Sequence, residues 1–180
     1  MSKGNFPVAI YALGDLVPSV HPDAYVHPDA TVIGSVTIGA DSSVWPHAVL
    51  RGDYGTITVG ERTSIQDGTV LHCTKFHATT IGSDCVVGHN AHVEGATVGD
   101  RCLIASGSVV LNGSVIGDGA VVGAGAVVSF NGVVPPRAMA LGVPARVREG
   151  HEVPEDMTKG IVELYVGNAR AYRHGLRRLD

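Results

Sequence analysis

Nine histidines are spread through the chain, and four of them, His72, His77, His89 and His92, fall within one short stretch. Imidazole nitrogens are common ligands for divalent metals and common proton carriers near neutral pH. A carboxylate, Glu94, stands two residues beyond His92. Two histidines and a carboxylate form a donor set that suits zinc in hydrolases and iron(II). A lone histidine is usually structural or exposed, and His21, His27, His47, His151 and His174 read that way. Whether the clustered four converge depends on the elements that carry them.

Those elements follow from a repeat. An aliphatic residue recurs about every six positions, through Ile33, Ile38, Val44, Leu50, Val59, Ile65, Leu71, Ile81, Val87, Val93, Val98, Ile104, Val110, Ile116, Val122, Val128 and Val134. Glycine often follows it, as at Ile38-Gly39 and Val87-Gly88, and a small residue sits four places on, as at Ser42, Thr63, Cys85 and Cys102. A helix needs spacings of three and four and a lone strand needs two. A period of six marks a parallel β-helix of hexapeptide repeats. Three hexads make one turn of a triangular prism, and successive turns lie about 4.8 Å apart.

The spacing departs from six at four points. Ile33 to Ile38 and Val93 to Val98 read as shortened corners. Leu50 to Val59 and Leu71 to Ile81 are long, and the second predicts a loop over Cys73–Thr80. The β-helix is expected over residues 8–147. A C-terminal α-helix of the same domain is expected within residues 154–180, from Glu155 to Leu179. Met157, Ile161, Leu164, Asn168, Tyr172, Leu176 and Leu179 give it one face to lay along the prism.

The repeat also serves as a ruler. His72 directly follows Leu71, and Glu94 directly follows Val93 one turn later. The two therefore stack on one face, about one strand spacing apart, where they can share a metal. His89 falls on a neighbouring face and points away from this pair in its own chain. In a threefold homotrimer the next subunit could supply it. The count thus predicts metal sites at subunit interfaces.

Bulk properties narrow the field. The formal charge of -4 offers no basic surface for nucleic acid or anionic lipid. No apolar run approaches the ~20 residues of a membrane span. Met1–Pro7 has no leader-like apolar region, so a cytoplasmic location is expected. Cys73, Cys85 and Cys102 are odd in number and form no CxxC pair. Cys85 and Cys102 occupy the small corner position one turn apart and read as core packing. Cys73 adjoins His72 and is a weaker candidate as an extra soft ligand.

The succession Arg51-Gly52-Asp53, Gln66-Asp67-Gly68, His72 and Gly88-His89 resembles the γ-class carbonic anhydrase family. Leu141-Gly142-Val143-Pro144-Ala145 is similar to the end of that family's β-helix, and Asn168-Ala169 with Tyr172 to its terminal helix. The resemblance covers roughly residues 8–180. It implies a left-handed coil and a homotrimer that binds Zn2+, or alternatively Fe2+, through three histidines, two from one subunit and one from its neighbour. Carried over, His72 and His89 are ligands, and the third ligand position holds Glu94. Three readings stay open: Glu94 binds the metal, His92 takes its place, or the site is empty.

The implied chemistry is attack of a metal-activated hydroxide on carbon dioxide to give bicarbonate. An anionic ligand lowers the metal's Lewis acidity, so weak hydration is expected. By the same resemblance Gln66 bonds the activated water, and Arg51, Asp53 and Asp67 make polar contacts at the interface. Tyr54 stands where the family's well-studied form has an acid, and its long acidic proton-shuttling loop is missing. His77 is a stand-in shuttle, and Tyr172 could line the site. The competing functions are a non-catalytic trimeric scaffold or small-molecule binder of the same family, and a hexapeptide acyltransferase using coenzyme A.

Overall fold

A computed structural model describes residues 8–180; the stretch Met1–Pro7, read above for a leader, lies outside the described residues. The short strands coil into a left-handed parallel β-helix of about seven turns, followed by one helix. One face of the prism stacks Tyr25–Val26, Ser43–Val44, Ser64–Ile65, Val86–Val87, Leu103–Ile104, Val121–Val122 and Met139–Leu141 in parallel. The antiparallel strand Arg146–Val147 closes that face. The other two faces form a single sheet, because the long strands Thr31–Ile38 and Val49–Val59 run through the corner between them.

The axis is filled by aliphatic side chains in register. Leu50, Ile65, Leu71, Val87, Val93 and Ile104 are fully buried. Each such side chain contributes on the order of 1.5–3 kcal/mol by leaving water. Rings are too wide for the axis, and the chain's one tryptophan, Trp45, packs on the outside under the helix with Tyr25 and Tyr165.

The structure corrects one repeat position. Val32, not Ile33, points inward: it is fully buried and pairs with Leu50, whereas Ile33 pairs with Arg51 on the outer surface. Val32 to Ile38 is then a regular six, and no shortened corner exists there. Val93 to Val98 is a true five-residue step, since both residues are buried.

The corners explain the small residues. Ser42 Oγ donates to the carbonyl of Gly60 at 2.7 Å, and Thr63 Oγ1 to that of Gly82 at 2.7 Å. The Cys85 thiol continues the series onto Gly99 at 3.0 Å, and the Cys102 thiol onto Gly117 at 3.1 Å. Both cysteines are free and buried, so they pack as expected and also act as donors in a ladder that ties each coil to the next.

The helix runs Lys159–Gly175, shorter than the expected span. Pro154 opens a separate turn, in which the amide of Met157 donates to the Pro154 carbonyl at 3.1 Å. Leu176 is already extended, and the guanidinium of Arg173 donates to the Ala24 carbonyl at 2.9 Å at the last contact with the prism. The buried stripe is Val162, Val166 and Ala169, continuing from buried Thr158, with Ile161 and Tyr165 beside it. The expected stripe through Leu164 is overturned, since Leu164 is 59% exposed. A flat sheet admits a helix closely only where its side chains are small. No helix among the described residues is long and apolar enough to cross a membrane.

Candidate functional site

Strand His92–Glu94 lies directly on strand Val70–His72, with Glu94 opposite His72 and Val93 opposite Leu71. The register counted from the sequence therefore holds, and His72 and Glu94 project outward side by side. Arg51 is the next residue below on the same rank, paired with His72. Asp53, two residues further along the long strand, folds back onto His72: its Oδ1 stands 3.0 Å from His72 Nε2. Asp53 also accepts a hydrogen bond from Arg51. Burial alone would raise the Asp53 carboxyl, but the hydrogen bonds from His72 and Arg51 and the guanidinium charge outweigh it. The group is held below the ordinary carboxylate range.

That pairing assigns the tautomer of His72. An ionised carboxylate can only accept, so in the neutral imidazole Nε2 carries the proton and Nδ1 keeps its lone pair. Nδ1 stands 3.4 Å from Glu94 Oε1. With His72 neutral, two acceptors face each other there, an arrangement that a proton or a metal cation resolves. Ligands on one tetrahedral metal at about 2.1 Å stand about 3.4 Å apart, so this edge fits a zinc-sized ion.

The loop that separates the two halves of this coil is Cys73–Ala78, because Thr79 and Thr80 already belong to the strand Thr79–Ile81. Buried Thr79 fastens its base. Its hydroxyl donates to the carbonyl of His72 and accepts from the amide of Gly95 at 2.8 Å, so one side chain fixes the ends of both site strands. The loop closes on itself through Thr74, whose Oγ1 accepts from the amide of His77 at 3.0 Å. His77 is exposed on this loop, with no hydrogen bond or ion pair to His72 among the described residues. Cys73 is fully buried, its thiol directed at the Arg51 carbonyl and its pKa pushed up by burial.

Gln66, Asp67 and His89 form a second group, on the corner beside the face that carries the helix. His89 Nδ1 stands 3.0 Å from Asp67 Oδ2, which leaves Nε2 directed away from its carboxylate partner. Gln66 is buried and meets Tyr165 of the helix. Burial, and then the charge of Asp67, push the Tyr165 phenol up; its hydrogen bond with Gln66 partly offsets this. No hydrogen bond or ion pair links this group to His72 and Glu94 among the described residues. Neither does any cluster of three or more His, Cys, Asp or Glu stand ready to hold a metal among them.

Tyr172 packs against Trp45, with ring centroids 5.1 Å apart, and against Tyr25 at 6.2 Å, so in its own chain it anchors the helix. Tyr54, singled out above, meets the ring of His72 edge-on at 6.4 Å. His92, read above as a replacement ligand, instead stands 3.2 Å from Glu94, since alternate residues of a strand share a face. Two neighbours of the site were not legible in the sequence: Thr79, which clamps the strands, and Tyr165, which reaches Gln66.

The six-repeat bacterial transferase hexapeptide model matches residues 18–52, 78–112 and 95–129. The chain is 41% identical over 141 residues to carnitine operon protein CaiE of Citrobacter koseri, covering 78% of this chain and 72% of that protein. It is 43% identical over 103 residues to mitochondrial gamma carbonic anhydrase 1 of Arabidopsis thaliana, covering 54% of this chain but 38% of that protein. Among solved structures, a hexapeptide transferase family protein from Anaplasma phagocytophilum superposes with a TM-score of 0.86 at 30% identity, covering 91% of this chain and 98% of that one.

Proposed function

The chain belongs to the γ-carbonic-anhydrase-like family of hexapeptide-repeat proteins, and from that premise we propose that it is a metal-binding homotrimer whose sites form between subunits. One half-site is His72 with Glu94, and the other is His89 with Gln66 and Asp67. The observation that carries this reading is the paired orientation of the two histidines. Asp53 accepts a hydrogen bond from Nε2–H of neutral His72, and Asp67 faces Nδ1 of His89 in the same way. Each imidazole is left with one outward lone pair, and a carboxylate behind a ligating histidine is the usual support of a metal site. Glu94 would complete the set in a histidine's place.

A divalent zinc or iron bound there would supply a Lewis acid able to bring a water's pKa toward neutrality. The chain's own residues would do the rest. Gln66 would orient the attacking oxygen, Arg51 and Asp53 would hold His72 in one tautomer, and Tyr54 would wall the outer side. The supported activity is weak hydration of carbon dioxide, because the negative Glu94 would blunt the acidity that a neutral imidazole leaves intact.

Subunit mixing tests the shared site. His72→Ala and His89→Ala proteins should each lose zinc when assayed alone. Denatured together in equal amounts and refolded, they should regain about a quarter of the wild-type zinc, because that share of interfaces joins two intact halves. Zinc retained by either single variant, or no recovery on mixing, would refute the shared site. A transferase reading comes second, favoured by the hexapeptide transferase neighbour. A shift in melting temperature with acetyl coenzyme A, without any zinc dependence, would favour it instead.

A further inference from the structure

We propose that His92 is a positioning residue that fixes the Glu94 carboxylate for the metal. This inference rests on the metal-site reading above. His92 and Glu94 are the first and last residues of one short strand, so both project outward with Val93 buried between them. The two oxygens of Glu94 are then divided. Oε2 lies 3.2 Å from His92 Nε2, while Oε1 lies 3.4 Å from His72 Nδ1. With Nε2–H donated to Oε2, the carboxylate cannot swing away, and Oε1 faces the lone pair of His72.

The setting of His92 supports this role. It pairs in register with Val70 below and Val109 above, and that rank continues through Val49 and Val127. A hydrophobic ladder carries an imidazole at one rung, and its only side-chain hydrogen-bond partner among the described residues is Glu94. A glutamate side chain left free would lose rotamer entropy on being ordered by a metal. His92 bears part of that cost in advance. The two ligands on this face are thus each held from behind: His72 by Asp53, Glu94 by His92.

The test compares His92→Val, which restores the ladder's own residue, with His92→Gln, whose amide N–H reaches a similar place. Cobalt(II) and zinc affinities are measured, together with the visible spectrum of the cobalt form and the melting temperature of the metal-free protein. His92→Val should weaken both metals about 10–100-fold, the usual effect of losing an outer-sphere partner, with metal-free melting unchanged. His92→Gln should keep most of the affinity and the wild-type cobalt spectrum. His92→Val matching wild type would overturn the proposal alone. His92→Gln as weak as His92→Val would overturn it too, since His92 would then act as a ligand and not as a donor to Glu94. Wild-type protein that takes up neither metal would overturn both this inference and the metal-site reading.

Discussion

Replacing Asp53 with asparagine keeps the side chain's size and removes its charge. The native carboxylate faces His72 Nε2 at 3.0 Å and pairs with Arg51. Asp53 and His72 are 17% and 14% exposed, so their contact is shielded, while Arg51 at 42% reaches into water. The exposed ion pair is worth little. A hydrogen bond to a charged acceptor contributes about 1.5–3 kcal/mol, and since asparagine keeps one oxygen, the expected loss is about 1–2 kcal/mol at pH 7. The sign with pH follows from the lowered Asp53 pKa. Its stabilisation is fully present above the ordinary carboxylate pKa and is lost as pH falls through the lowered one. Urea unfolding followed by Trp45, the chain's one tryptophan, at fixed protein concentration reads this directly. The gap between wild type and D53N should be widest near neutrality and close in acid. Zinc affinity should fall about 10–100-fold, or about 1.4–2.8 kcal/mol. A gap that stays constant down to acid pH, or D53N zinc affinity equal to wild type, would show that Asp53 does not set the tautomer of His72.

Three further outcomes are expected. Glu94→His should raise carbon dioxide hydration per bound zinc and lower the pH midpoint of the rate in stopped-flow assays, because a neutral ligand leaves more positive charge on the metal; an unchanged midpoint would count against Glu94 as a ligand. Thr79→Val should cost about 1–3 kcal/mol by removing the two hydrogen bonds of a buried hydroxyl, which leaves the Gly95 amide only its longer bond to the His72 carbonyl, and should also weaken zinc, so a variant with full stability would contradict the clamp. Ile104→Ala should cost about 3–5 kcal/mol in thermal or urea unfolding, since Ile104 lies stacked between Val87 and Val122 and neither coil can close the gap.

Much of the site was readable because a β-helix is close to one-dimensional. Once the period was known, the register of Glu94 over His72 and the separate placing of His89 followed by counting. Ile33 was misplaced because Val32 and Ile33 are both aliphatic, and a pair of β-branched residues does not say which one points inward. The helix face was misjudged for a related reason. Large residues such as Leu164 look like core residues, but close approach to a sheet selects Val162, Val166 and Ala169. Thr79 was read as loop because a hydroxyl that bridges two strands has no pattern along the chain.

By itself the sequence determined the coil, its period and the face on which each candidate ligand stands, because stacked strands convert position in the chain directly into position in space. Only the tertiary structure decided how those groups are held. It showed Asp53 behind His72, Asp67 behind His89, and the two oxygens of Glu94 divided between His72 and His92. Such pairings depend on side-chain reach across neighbouring coils and corners, and a repeat fixes backbone register without fixing rotamers.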